Sequence, residues 1–311
     1  MMTSLGAGCA DAPFARAGLV DDMPECFAAN YDAGRGLFTL MGAGPNAANQ
    51  QCLLTVWPDS GPASPARLTA GTYTASIANG GGGGAGGTAQ GFAGEGEKGG
   101  GGGGGAGARE TLAVVQLPAG VYRLTLGAGG PGGSACMPAP FAFGGGPGWL
   151  GSPSNIVHVA TGEVVLGVAG ADKYVRPSRR QNDIGAGPSR DGHGGSGPGQ
   201  ASGGDGGHLK SEGTPKVIAE AGDGKSALGH AGKGGAAGFP ATDVSNTGGG
   251  GGGGATSRGN GGDGGGATPA HKDIVPGRGT LGSGGGGGEG NSHTCDAGAA
   301  GGNGYIALRR N

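Results

Sequence analysis

Long hydrophobic runs are missing from this chain. No stretch of 18 apolar residues occurs, so no segment is expected to insert into a membrane. Charge is sparse, 14% of residues with a formal net charge of -2, and that balance lacks the basic footprint of a nucleic-acid binder. Aromatic residues make up 5% and apolar residues 34%, too little for side-chain burial alone to offset the entropy of ordering the chain. Residues Met1 to Pro13 show neither a basic n-region nor a long apolar h-region, so no secretory signal is expected. The cysteines Cys9, Cys26, Cys52, Cys136 and Cys295 form no C-x-x-C pair, which excludes a zinc ribbon, and their odd number leaves one unpaired. A Cys9 to Cys26 or Cys26 to Cys52 bridge stays open beside buried free thiols, the reading taken here.

What the chain has in abundance is glycine: 86 of 311 residues, with 19 prolines besides. The glycines come in runs, among them Gly80 to Gly84, Gly99 to Gly105, Gly248 to Gly254 and Gly284 to Gly288. A run of this kind has no side chain to bury, so it is neither a helical stripe nor an alternating strand. Polyproline II offers another use of backbone. It has three residues per turn, rises about 3.1 Å per residue, and points its N–H and C=O groups outward. Packed side by side, such helices bond laterally, and only glycine lets the backbones come close enough. A rod surrounded on all sides then needs glycine throughout, whereas an outer rod needs it only on its inward face. Gly99 to Gly105 and Gly248 to Gly254 read as interior rods about 22 Å long, and Gly192 to Gly199 as an outer one. Collagen is excluded because the Gly-X-Y phase is never held for long.

Residues 1–67 have ordinary composition, with strands expected at Phe38 to Leu40 and Cys52 to Trp57, and read as an N-terminal attachment module. An internal duplication follows: Leu68 to Gly81 aligns with Leu117 to Gly130, each a turn, an alternating strand and an exit into glycine. Thr111 to Val115 and the second copy are expected to form a hairpin through Pro118-Ala119-Gly120, and Ile156 to Ala160 another with Glu163 to Leu166 across Thr161-Gly162. Residues 68–168 thus read as a glycine-rich β-hairpin domain. Residues 169–311 read as a polyglycine-helix and loop domain, in which only Tyr305 to Leu308 returns to strand character. The fold class is mainly β and irregular, with almost no α-helix. Reversals between rods gather loops at the two ends of the bundle.

The series of turn, strand, Gly80 to Gly87, Gly99 to Gly107 and Val121-Tyr122-Arg123-Leu124-Thr125-Leu126-Gly127-Ala128-Gly129-Gly130 resembles the glycine-rich domain of bacteriophage tail-fibre and tail-tip proteins. Gly151 to Ile156 and the closing Gly301 to Ile306 fit the same pattern, and the resemblance covers residues 68 to 311. The later half is similar to the distal adhesins of T-even-like phages, whose polyglycine helices stack and display receptor-binding loops. The resemblance implies host recognition at a fibre tip. Its partners would be other phage tail or fibre proteins, met through residues 1–67, and a protein or polysaccharide receptor on the bacterial outer surface. The implied location is the virion, and the extracellular space after host lysis. A structural virion component without receptor binding is the alternative. An ice-binding rod protein is disfavoured by the long charged loops at 171–184 and 208–221.

Within the loops, Tyr174, Arg176, Arg179 and Arg180 form a basic patch with one aromatic, suited to envelope phosphates or acidic sugars. Phe239, His271, Lys272 and Ile274 are further contact candidates, as apolar or polar residues on loop segments. Met137, Phe141, Phe143 and Trp149 are expected to cap the apolar side of the hairpins. Gly222-Asp223-Gly224-Lys225-Ser226 fits a relaxed phosphate-loop pattern, but the strand before it and the helix after it are missing. Asp191, His193, Asp205 and His208 are spaced through glycine with no ligand geometry. No catalytic constellation, metal site or cofactor is expected.

Overall fold

The computed structural model of the chain describes residues 23–26, 30–42, 50–59, 67–84, 86–87, 109–135, 146, 148–168, 208–212, 214–219, 225, 252–265, 275–288 and 296–311. These residues contain no helix. Their strands are β1 (Tyr31–Asp32), β2 (Leu37–Met41), β3 (Gln50–Trp57), β4 (Leu68–Thr69), β5 (Gly71–Ala78), β6 (Glu110–Leu117), β7 (Gly120–Leu126), β8 (Asn155–His158), β9 (Val164–Gly167), β10 (His208–Glu212), β11 (Thr214–Ala219) and β12 (Tyr305–Arg310). One five-stranded sheet has the order β1-β2-β12-β5-β6, a second the order β4-β3-β7-β8-β9, and β10 pairs with β11 alone.

Period-two alternation places Phe38, Tyr73, Ile77, Leu117, Ile306 and Leu308 on the inner face of the first sheet. They pack against Leu54, Tyr122, Leu124, Leu126 and Ile156 of the second, making one core between two layers. The strands of residues 1–67 do not stand apart from it: β2 pairs with β12 and β3 pairs with β7. The C-terminal strand, recognised in the sequence, lies inside the first sheet between β2 and β5.

The duplication is real in three dimensions, and its copies lie in opposite sheets. Tyr73 donates to the Thr69 carbonyl at 2.5 Å and Tyr122 to the Pro118 carbonyl at 2.7 Å, the same bond four residues back in each copy. The expected hairpin between Thr111 to Val115 and the second copy does not form. β6 pairs instead with β5, and Pro118-Ala119 carry the chain across to β7 in the other sheet. Crossing over lets Leu117 and Tyr122 both point into the core from opposite sides. The β8–β9 hairpin forms as expected, with Gly162 at φ 70, but the segment 208–221, expected as a charged loop, instead carries the antiparallel pair β10–β11, since backbone pairing of two short segments needs no long apolar run.

Where strands end, rods begin. Residues 80, 83 and 86 donate to the carbonyls of 152, 149 and 146, while 81, 84 and 87 donate to those of 302, 299 and 296. Partners stepping by three on each side are the signature of a three-residue turn. This central rod also accepts from Gly130 and Gly133 of the parallel rod 127–135 and from Gly285 of the rod 282–288. Parallel and antiparallel neighbours therefore coexist. An added Cβ at Gly80, Gly81, Gly83 or Gly84 would overlap a neighbouring carbonyl oxygen, which is why a surrounded rod is built of glycine. On the periphery, 148–152 keeps Gly148 and Gly151 against its neighbours and turns Trp149 and Leu150 outward, 60% and 55% exposed. Trp149 therefore does not cap the hairpins; an outer rod has a free face for large side chains. Met137, Phe141 and Phe143 lie outside the described residues.

A polar collar joins sheets to rods. The Ser154 amide donates to Asn79 Oδ1, the Ser154 hydroxyl to the Ala78 carbonyl, and the Gly129 amide to Asn303 Oδ1. These buried side chains replace the ladder partners that the departing strands give up.

Candidate functional site

The central rod leaves β5 at its near end, and the rod 296–304 enters β12 at its own, so residues 87, 135, 146, 265, 275, 288 and 296 mark the rod ends far from the sheets. His271, Lys272 and Ile274 fall in sequence between two of those ends. Together with Tyr174, Arg176, Arg179, Arg180 and Phe239 they lie outside the described residues. Of the metal candidates only His208 is described, on β10. Among the described residues no cluster of three or more His, Cys, Asp or Glu could hold a metal. The Lys225 carbonyl accepts from the Ala255 amide at 3.0 Å.

The near end of the array carries features that sequence reasoning missed. The turn at Ser257-Arg258 rests on the outer face of the first sheet. There the Glu110 carboxylate, 2% exposed, accepts from the Tyr305, Ser76 and Ser257 hydroxyls and from the Ser257 amide at 2.7 Å. The Arg258 guanidinium sits 5.7 Å from the Tyr305 ring centroid. The only sequence signals were an acid opening an apolar strand and a non-glycine break between two glycine runs.

Beside this knot an open groove of about 610 Å³ runs across the outer face, lined by Arg35, Arg258, Arg309, Leu37, Leu112 and Ala307 among others. Alternation along β12 puts Tyr305, Ala307 and Arg309 on this face. Arg35 lies 3.6 Å from Asp32 in an exposed pair. Among the described residues no carboxylate pairs with Arg258 or Arg309. A smaller groove on the other side, about 260 Å³, is lined by Tyr122, His158, Thr161 and Glu163.

Burial raises the pKa of the Tyr73, Tyr122 and Tyr305 hydroxyls above 10, Tyr122 to about 12, and the bond to Glu110 adds to the rise at Tyr305. These groups keep in the fold a proton that the unfolded chain releases near pH 10. Their contribution is intact below that pH and is lost as pH climbs through 10 toward 12. Melting temperature is expected to fall steeply across that window, with tyrosinate absorbance at 295 nm appearing together with unfolding. Absorbance equal to ionisation of all five tyrosines while the fold stays intact would refute this.

Cys26 and Cys52 are buried free thiols. The bond between them, with burial, raises the Cys26 pKa well above the usual thiol range. Cys26 therefore behaves as an inert core residue, whereas the same thiol contact lowers the Cys52 pKa.

No protein-family model matches this chain, and no curated protein matches it either.

Proposed function

We propose that the protein is a bacteriophage tail-fibre or tail-tip component that binds a host-cell surface receptor through loops carried on a polyglycine-helix scaffold. It acts by binding, not catalysis, in the virion and outside the cell after host lysis. The observation that carries this reading is the array itself. Rods bonded at every third residue and anchored at one end to a β-sandwich leave a set of ends pointing away from the anchor. Such a scaffold is rigid because carbonyls and amides lock it laterally, and its loop ends are free to vary in sequence without disturbing the glycine contacts. The basic patch Arg176, Arg179 and Arg180 and the candidates Phe239, His271, Lys272 and Ile274 all belong to connections between described segments. A structural virion role without receptor binding is the second reading, favoured by an open apolar sheet edge suited to a neighbouring subunit.

Binding of the purified protein to whole host cells tests the choice. Saturable binding that falls at least tenfold when Arg176, Arg179 and Arg180 are all changed to alanine, with unchanged melting, is the expected result. Absence of binding by the intact chain would transfer the assignment to the structural role.

A further inference from the structure

The first sheet ends on one side in the two-residue β1 and on the other in β6. The second sheet ends in the two-residue β4 and the four-residue β9. Among the described residues of the two five-stranded sheets β6 is therefore the longest edge, and no described strand pairs with the outer side of Thr111 to Leu117. Long edge strands are normally blunted by a charge, a proline or a bulge. Thr111-Leu112-Ala113-Val114-Val115-Gln116 has none of these, and its β5 register is unbroken. Leu112 and Val114 stand 56% and 68% exposed on the outer face. An unguarded apolar edge of this length is either an aggregation hazard or a docking site.

The groove decides between occupants. It opens at Leu112 and continues over the sheet past Arg258, Ala307 and Arg309 to Arg35. A second copy of the chain, pairing β6 to β6 about a two-fold axis, would bring two such arginine-lined faces side by side, a like-charge arrangement that disfavours it. Nucleic acid would ask for aromatic stacking surfaces, and among the described residues no aromatic side chain lines the groove.

We infer that β6 takes an extended acidic segment of a partner protein, which adds as a strand to the sheet edge, lays apolar side chains on Leu112 and Val114, and directs carboxylates to Arg258 and Arg309. Backbone bonds would give affinity and the guanidiniums would select for acid, since Arg pairs with carboxylates through a two-pronged geometry. This surface is separate from the far rod ends and does not depend on the receptor-binding reading.

The test uses the full chain and the eight-residue peptide Val-Thr-Glu-Thr-Val-Thr-Glu-Thr, in which valine and glutamate share one face of an extended strand, measured by fluorescence anisotropy. Three comparison probes accompany it: the same peptide N-methylated on alternate residues in either phase, a valine and lysine version, and an oligogalacturonate. The acidic peptide is expected to bind, at least tenfold more tightly than the lysine version. One N-methylated phase, and separately the Arg258→Ala/Arg309→Ala protein, should each weaken binding tenfold or more, whereas Arg123→Ala, on the other sheet, should not. Equal binding of both N-methylated forms would overturn strand addition. Unchanged affinity in the double arginine variant would overturn the charge assignment. Oligogalacturonate binding in place of the peptide would show a saccharide site instead. Dimers of the free protein that dissociate on Leu112→Thr would assign the edge to a second copy.

Discussion

Replacing Gly84 by alanine is expected to destabilise the protein by about 3 kcal/mol or more, from strained packing and from lost lateral hydrogen bonds together. The added methyl would overlap the Gly286 carbonyl oxygen, and both partners are backbone, so no side chain can swing away. Gly84 donates to Ala299 at 2.9 Å and accepts from Gly133 at 2.8 Å, so moving it disturbs two further rods. Gly34→Ala is the control: its nearest contact would be Asp32 Oδ1 at 3.4 Å, in the turn between β1 and β2, and it should shift stability by about 0.5 kcal/mol at most. Chemical denaturation of the two variants, read by the midpoint at constant slope, makes the comparison. Equal midpoints would mean that the rods are not packed as described.

Removal of the Glu110 carboxylate is the second large effect. Glu110→Ala strips the acceptor from the Tyr305, Ser76 and Ser257 hydroxyls and from the Ser257 amide, in a site closed to water. Hydrogen bonds to a charged group are worth about 1.5–3 kcal/mol each and do not add fully, so a loss of about 3 kcal/mol is expected. Glu110→Gln keeps the shape but turns amide hydrogens toward donors, and should recover only part of it. The position of the damage is diagnostic. Hydrogen exchange should rise first at Ser257, Gly259 and Gly262, where the array rests on the sheet. Uniform acceleration throughout the sandwich would show that Glu110 supports the core and not the junction.

These two sites differ in how far they could be read from the chain. The glycine content of the central rod, the glycine of only one face in 148–152, and the three-residue period all follow from whether a Cβ has room. That is a local steric fact, written residue by residue in the sequence. Strand positions at Phe38 to Leu40, Cys52 to Trp57 and Tyr305 to Leu308 were legible for the same kind of reason, since alternation and β-branched or aromatic content are local. The Glu110 knot was not legible, because Ser76, Glu110, Ser257 and Tyr305 are far apart in sequence and meet only once the rods fold back on the sheet. The groove arginines were missed likewise: Arg35, Arg258 and Arg309 come from three separate elements.

The sequence alone thus determined that the described residues would be strands and glycine rods without helix, and that Leu68 to Gly81 is repeated at Leu117 to Gly130; the rods expected at Gly99 to Gly105 and Gly192 to Gly199, and most of that at Gly248 to Gly254, lie outside the described residues. Tertiary structure alone decided the partners. β6 and β7 carry alternating patterns that suit a hairpin with each other as well as they suit separate sheets, and the pattern of one strand cannot say which neighbour it will meet. What selected the observed pairing was burial of Leu117 and Tyr122 from opposite sides of one core, with Tyr305 to Arg310 returning to fill the place between β2 and β5. Rod direction was decided in the same way. Glycine bonds equally well to parallel and antiparallel neighbours, so the ends of the strands, and not the glycines, set which way each rod runs.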